Sequence, residues 1–307
     1  MKKLNLFIFF PICILCLFSC KQKYQENNSK IDANKSKITK VTIHGHRGDR
    51  GSFPENSIPA FLSALKKGVQ VVELDVAISK DHQVVVSHEP FMHHAYMLQP
   101  NGEIITKVDE KSFNLYTMTY DSIKKFDAGS KENLEFPEQI NLETYKPLLS
   151  EVIDTLKGYS NTNMLPEIKY NIEIKSKPTD YGVYQPQPEL FVDLVMQVIH
   201  DKNIESNVYL QSFDPRILEI IHKKYPTVKI SYLVSNGNVE ENLKKLSFQP
   251  DIYSPNYKLV QDKHIVEYIH QKGMQLIPWT VNNKQDIDNM KGLGVDGIIT
   301  DYPERAL

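Results

Sequence analysis

Apolar residues recur along this chain at two alternating periods. Short β-branched runs fall at 41–45, 70–76, 83–87, 170–174, 207–211, 228–233, 251–254, 275–279 and 296–299, each the length of a buried strand. Between them the spacing changes to i, i+3, i+4, i+7. It does so in Ile58, Phe61, Leu62, Leu65, in Leu149, Val152, Ile153, Leu156, and in Phe191, Leu194, Val195, Val198. Each set predicts a helix with one buried stripe.

Strands alternating with helices predict an α/β fold with a parallel sheet. The runs number one more than a closed eight-stranded barrel requires. Only residues 78–83 separate the second run from the third, too few for a helical crossover, so these two are expected to form an antiparallel hairpin. The third run is then an accessory. The other eight predict a (β/α)8 TIM barrel, with the helix at 149–156 as the crossover from the second strand to the one at 170–174. No internal repeat is visible.

Between about 89 and 146 the barrel rhythm gives way to aromatic, Asn-rich sequence with no sustained period. So long a connection is expected to be a lid or specificity element over the active face. A second long loop, 176–188 with Tyr181, Tyr184 and three prolines, leaves the same predicted rim. The barrel domain is thus placed at 41–307, with the insertion inside it.

The N-terminus follows a different logic. Lys2 and Lys3 precede an apolar run from Leu6 to Phe18 that is shorter than the ~18 residues of a membrane span. It predicts an export signal over 1–19. Cys13, Cys16 and Cys20 are the only cysteines, so the body beyond residue 40 has no disulfide framework. The segment Leu17-Phe18-Ser19-Cys20 resembles a bacterial lipobox, although Phe18 is bulkier than that pattern usually shows. This resemblance implies cleavage before Cys20 and a lipid on its thiol. Residues 21–40 are polar and would act as a tether of roughly 25 Å reach. The expected location is that of an exported bacterial lipoprotein, membrane-anchored in the periplasm or at the cell surface.

Charge narrows the partners. Residues 1–19 hold two lysines and no acid, so the processed chain would carry 34 basic against 38 acidic residues, a net charge of −4. No basic stripe is present to offset nucleic-acid phosphates, so nucleic acid is excluded as a partner. No protein partner is implied.

The candidate chemistry collects at the carboxyl ends of predicted strands, where barrel enzymes keep their active sites. Glu73 and Asp75 are two apart on one strand and share a face, and Glu173 ends the next. Three converging carboxylates repel one another, and a hard divalent cation, Ca²⁺ or Mg²⁺, would relieve that repulsion. His46 ends the first strand and His88 the hairpin strand, and two imidazoles are the side-chain type suited to activating a nucleophile and protonating a leaving oxygen. Arg47 offers a fork to phosphate oxygens and Lys175 a point charge. His44 is expected to pack in the barrel interior. Together these groups predict a metal-assisted phosphodiesterase. A glycosidase would use Glu73 and Glu173 but leaves the histidines and Arg47 without a role.

At this point a family resemblance is carried by the residues themselves. His46-Arg47-Gly48, Pro54-Glu55-Asn56-Ser57, Glu73-Leu74-Asp75-Val76, His88-Glu89-Pro90, Glu173-Ile174-Lys175, Gln211-Ser212-Phe213, Trp279-Thr280-Val281-Asn282 and Gly297-Ile298-Ile299-Thr300-Asp301 resemble glycerophosphodiester phosphodiesterases. The resemblance implies a TIM barrel that hydrolyses glycerophosphodiesters to glycerol 3-phosphate and an alcohol with one divalent cation. It implies His46 and His88 as catalytic residues and Glu73, Asp75 and Glu173 as metal ligands. Glu89 stands where the family commonly shows Asp. Phe213 and Trp279 are expected to wall the substrate's carbons, Gln211 to bond a hydroxyl, and Glu55 to reach the site from its loop. Asn56 or Ser57 is expected to cap the helix beyond, and Asp301 to be a cap or a supporting group rather than a catalyst. A phospholipase acting on intact lipids and a binding lipoprotein without turnover remain alternatives on the same fold.

Overall fold

A computed structural model describes Met1 and residues 41–307. The expected signal and tether, with Cys20, lie outside the described residues. Among the described residues no helix is long and apolar enough to cross a membrane.

Eight parallel strands form the frame: β1 (Thr42–Gly45), β2 (Val71–Ile78), β4 (Lys169–Ile174), β5 (Val208–Ser212), β6 (Lys229–Val234), β7 (Ile252–Pro255), β8 (Gln275–Leu276) and β9 (Gly297–Thr300). Their spatial order is β8-β7-β6-β5-β4-β2-β1-β9. The ends are joined by backbone bonds from Asp296 N to Leu276 O (3.0 Å), Ile299 N to Pro278 O (3.0 Å) and Val281 N to Ile299 O (2.9 Å). The sheet therefore closes into the expected (β/α)8 barrel. β3 (Val84–Val86) runs antiparallel to β2 and pairs Val76 with Val86, as the short 78–83 connection requires.

The run expected at 275–279 is regular only over Gln275–Leu276. Pro278 has no N–H to give a ladder, and the chain continues beside β7 through single bonds, Ile277 N to Tyr253 O and Trp279 N to Pro255 O.

Helices cover the outer face: α1 (Ile58–Lys66), α3 (Leu149–Thr162), α4 (Pro188–Asp201), α5 (Pro215–Lys224), α6 (Val239–Leu243), α7 (Lys263–Gln271) and α8 (Lys284–Leu293), while the short α2 (Tyr120–Ile123) belongs to the insertion. Their starts are encoded locally. Ser57, Asp214, Asp262 and Asn283 each turn a side-chain oxygen onto an early backbone N–H, which satisfies donors the helix leaves free. The α3 stripe Leu149, Val152, Ile153, Leu156 is fully buried. In α4 the buried set is Phe191, Val192, Val195, Met196 and Ile199, with Leu194 and Val198 only half-buried. The helix is apolar enough that i, i+3, i+4 periodicity fits two overlapping stripes, and packing selected the other one.

Strand alternation decides which side chains reach the site. On β2, Val72, Leu74 and Val76 join the large core under the helices, whereas Val71 packs inside the barrel with Tyr209, Ile252, Ile277 and Ile299. Glu73 and Asp75 share Val71's side and so point inward. On β4 the same rule turns Tyr170, Ile172 and Ile174 outward and Glu173 inward. His44 is fully buried and stacks on Tyr209 at 6.1 Å, as expected of an interior residue.

The insertion has its own apolar centre. Met92, Met97, Ile105, Leu115, Ile123 and Phe126 pack on Ala77 and Val85, the face of the β2–β3 hairpin that the main core does not use. Its turns are short, Glu110–Ser112 and Leu115–Thr117, which explains the lack of any period in its sequence.

Candidate active site

A cavity of about 170 Å³ opens over the carboxyl ends of the strands and is lined by His46, Arg47, Glu73, His88, Glu173, Lys175, Gln211, Phe213, Leu233, Trp279, Thr280 and Ile299. The structure thus gathers nine of the eleven site residues expected from sequence on one wall. The exceptions are Asp75, beneath that wall, and Glu55.

The carboxylates come first. Glu73, Asp75 and Glu173 bring ligand atoms to within 4.8 Å of one another, and all three are buried. Burial raises the Glu73 carboxyl well above its ordinary pKa, and the charges of Asp75 and Glu173 add to the rise. Glu173 is raised too, by burial first and with Lys175 opposing. Burial also pushes Asp75 up, but His88, Lys175 and Arg47 outweigh it and hold Asp75 below its usual value. Two neighbours brace the group. Gln211 Nε2 donates to Glu73 Oε1 at 2.9 Å, and the Arg47 backbone N–H donates to Glu73 Oε2 at 2.9 Å. Asn56 Nδ2 donates to Asp75 Oδ2 at 2.9 Å, while Asn56 Oδ1 accepts from Asp75 N. Asp75 Oδ1 is buried with no hydrogen-bond donor. An unbonded carboxylate oxygen among two others, in an all-oxygen set, fits a hard divalent cation.

The wider charge balance agrees. Glu55, Glu73, Asp75, Glu89, Glu173 and Asp301 face Arg47, Arg50, Lys146 and Lys175, six acids against four bases. One divalent cation would make the set neutral.

Each histidine is held by a carboxylate. His46 Nδ1 donates to Asp301 Oδ1 at 2.6 Å, and His88 Nδ1 donates to Glu89 Oε1 at 2.6 Å. An ionised carboxylate only accepts, so the ring proton sits on Nδ1 and Nε2 is left for the cavity. Burial lowers the His46 pKa against the pull of Asp301. Asp301 is therefore the supporting group of the two sequence options. Asn282 Nδ2 donates to its other oxygen at 2.6 Å.

The predicted phosphate-binding cations are also tied. Arg47 Nη1 donates to Glu55 Oε1 at 2.7 Å, and Arg47 Nε lies 3.4 Å from Asp75. Lys175 Nζ lies 2.8 Å from Glu173 Oε1. Glu55 corrects an expectation: it faces Arg47 and Arg50, whose Nε is 2.6 Å away, and does not reach the cavity wall. Two guanidinium groups hold it. Gln211 spends its amide on Glu73 and leaves Oε1 without a partner. Phe213 and Trp279 meet edge to face at 5.3 Å, and Trp279 Nε1 donates to Ser254 O.

Asn56 was missed as a site residue. Sequence reasoning offered Asn56 or Ser57 as the helix cap, and Ser57 caps α1; Asn56, at φ 53°, braces Asp75. Its position beside Glu55 in a loop leaving the first strand end was the available signal.

Among the described residues one other group collects metal-donor side chains: His93, His94 and Glu110 in the insertion. It is closed by its own hydrogen bonds. His94 Nδ1 meets Glu110 at 2.6 Å, and His93 Nδ1 accepts from Ala95 N, which leaves the neutral His93 ring its proton on Nε2.

Comparison with known proteins gives one consistent result. The glycerophosphoryl diester phosphodiesterase family matches residues 46–305. A glycerophosphodiester phosphodiesterase of Caldanaerobacter subterraneus is 33% identical over 87% of this chain and 97% of its own length. One of Bacillus altitudinis is 29% identical over 86% and 96%. A solved structure from Silicibacter pomeroyi superposes with a TM-score of 0.78 at 27% identity, covering 87% of this chain and 92% of that one. An Oleispira antarctica phosphodiesterase in complex with the product sn-glycerol-3-phosphate shares the fold, with a TM-score of 0.67 at 21% identity over 86% and 94%.

Proposed function

Because the chain belongs to the glycerophosphoryl diester phosphodiesterase family, we propose that it hydrolyses glycerophosphodiesters to glycerol 3-phosphate and an alcohol, with His46 and His88 as the acid/base pair. The observation that carries this reading is the pair of imidazoles on one cavity wall, each with Nδ1 on a carboxylate. That arrangement supplies two oriented proton carriers facing one cavity.

Glu73, Asp75 and Glu173 would hold one Ca²⁺ or Mg²⁺, which when bound supplies positive charge to the phosphate oxygens. Arg47 and Lys175 bind and orient the phosphate. Nε2 of one histidine takes the proton of the attacking hydroxyl, and the other gives a proton to the departing alcohol oxygen. Asp301 and Glu89 hold each Nδ1–H, so Nε2 is bare on the ring that acts as base and carries the transferable proton on the imidazolium that acts as acid. Phe213 and Trp279 wall the glycerol carbons, and Gln211 Oε1 accepts from a glycerol hydroxyl. Water as nucleophile yields glycerol 3-phosphate directly, whereas the neighbouring glycerol hydroxyl yields a cyclic phosphate that water then opens.

The test is glycerol 3-phosphate release from glycerophosphocholine and glycerophosphoethanolamine by chelator-stripped protein with Ca²⁺ or Mg²⁺ restored. Metal-dependent release supports the reading and names the cation. No release from folded protein with either metal defeats it, and turnover of intact phospholipid instead would move the assignment to a phospholipase. Cyclic phosphate in rapid-quench samples separates the two nucleophiles.

The same reading extends to location. The motif ending in Cys20 and the polar 21–40 segment support a lipid anchor that holds the barrel beside a membrane. Radiolabelled fatty acid incorporated by the full chain but not by Cys20→Ala supports the anchor, and equal labelling defeats it.

A further inference from the structure

Lys146, the last residue of the insertion, is 4% exposed. Its ammonium donates to Ser87 Oγ at 2.7 Å and stands 5.8 Å from the Tyr96 ring centroid. Ser87 Oγ in turn donates to the Glu89 backbone oxygen at 2.5 Å. The chain around Lys146 is zipped to β3: Val86 N donates to Pro147 O at 2.8 Å, and Val85 bridges Leu148. Ser87 N is bonded to Asp75 O at 2.9 Å, so the segment carrying His88 is fixed on one side by β2 and on the other by Lys146.

The charges point the same way. Glu89 and Glu55 are the carboxylates whose attraction acts most on the Lys146 ammonium, opposing the burial that lowers its pKa. Glu89 holds His88 Nδ1 through one oxygen and accepts from Tyr96 OH through the other at 2.8 Å. A buried ammonium is costly unless nearby groups compensate for it. Here the compensating groups are those that orient a proton carrier.

We propose that Lys146 is a positioning residue for His88, acting through Ser87 and the Glu89 segment. The insertion thereby fixes one half of the acid/base pair. This rests on His88 being one of that pair. A methionine of similar length would fill the same space without an ammonium to desolvate. A packing role and a positioning role therefore predict opposite results.

The experiment compares Lys146→Met, Ser87→Ala and the double variant with the wild-type chain on glycerophosphocholine, with unfolding midpoints measured alongside. The expected result for Lys146→Met is a kcat lower by about tenfold or more, KM within about threefold of wild type, and an unfolding midpoint unchanged or raised. The double variant should be no slower than the slower single variant, because both substitutions break one chain of contacts. Wild-type kcat in Lys146→Met overturns the proposal. So does a kcat loss that comes with a lowered midpoint, and so do single effects that multiply in the double variant. If Lys146→Met does not fold, Ser87→Thr against Ser87→Ala decides: the hydroxyl-bearing variant should keep its rate, and equal rates overturn the proposal. An inactive wild-type protein would instead defeat the proposed function itself.

Discussion

His46 Nδ1 and Asp301 Oδ1 are 2.6 Å apart although 255 positions separate them in the chain. The bond ties the residue after the first strand to the residue after the last one, which pairs beside it in the barrel. The orientation of the His46 imidazole thus depends on the pairing of the chain's first and last strands.

Asp301→Asn tests that bond. Asn282 Nδ2 already donates to Asp301 Oδ2, so the new amide must turn its oxygen to Asn282 and its NH₂ to His46. That forces the ring proton onto Nε2, the wrong nitrogen. The expected loss in kcat is at least ~10²-fold with the fold intact. The pH dependence of stability provides a second readout. Burial raises the Asp301 pKa, but the His46 charge and hydrogen bond, Arg50 and Asn282 hold it well below its ordinary value. A depressed folded pKa gives stability that is present above the unfolded value of about 3.9 and is lost as pH falls toward the folded value. Urea titrations should show the wild-type advantage over Asp301→Asn at pH 5 to 7 and its progressive loss as pH falls below about 4.

Replacing either His46 or His88 with Ala should lower kcat by at least ~10²-fold. Removing both should cost little more than the worse single change, as for groups that act as a unit. Turnover near the wild-type rate in either purified single variant would sink the acid/base assignment.

Burial, with the charges of Asp75 and Glu173 beside it, holds the Glu73 carboxyl well above its ordinary pKa. Glu73→Gln relieves one buried charge, so the metal-free variant should unfold no earlier than metal-free wild type. Wild-type protein should gain about 2.7 kcal/mol at a hundredfold excess of cation over Kd, and the variant should gain little. Thermal unfolding with chelator and with Ca²⁺ or Mg²⁺ reads both effects.

Gly48 has φ +91°, and an added Cβ would sit 2.7 Å from the Ala60 carbonyl carbon. Gly48→Ala therefore meets both an unfavourable backbone region and a clash with α1. A loss of about 2–4 kcal/mol in chemical unfolding is expected. Because Arg47 N donates to Glu73 from the same turn, cation affinity should weaken as well.

Phe213 is 38% exposed and meets Trp279 edge to face at the cavity wall. Phe213→Ala should raise KM by about tenfold, the order expected for losing part of an aromatic contact, with a smaller change in kcat. Steady-state kinetics on glycerophosphocholine separates the two parameters.

Most of the frame was legible because its signals are local. Period-2 runs and i, i+3, i+4 stripes reflect side-chain direction along a strand or helix, so the eight-strand barrel and the β2–β3 hairpin followed from spacing alone. The same rule placed Glu73 and Asp75 on one inward face. Where two stripes fit one apolar helix, as in α4, spacing could not choose between them.

What the chain by itself determined is thus the order of elements, their inward faces and the residue types at the strand ends. Only the tertiary structure decided which of those residues meet. Asp301 came to His46, Asn56 to Asp75, Glu55 to Arg47 and Arg50, and Lys146 to Ser87. The physical reason is that strand and helix periods are set by neighbours a few residues away. Hydrogen bonds and ion pairs between strand ends depend on barrel closure and on the seating of the insertion, and no local pattern records either.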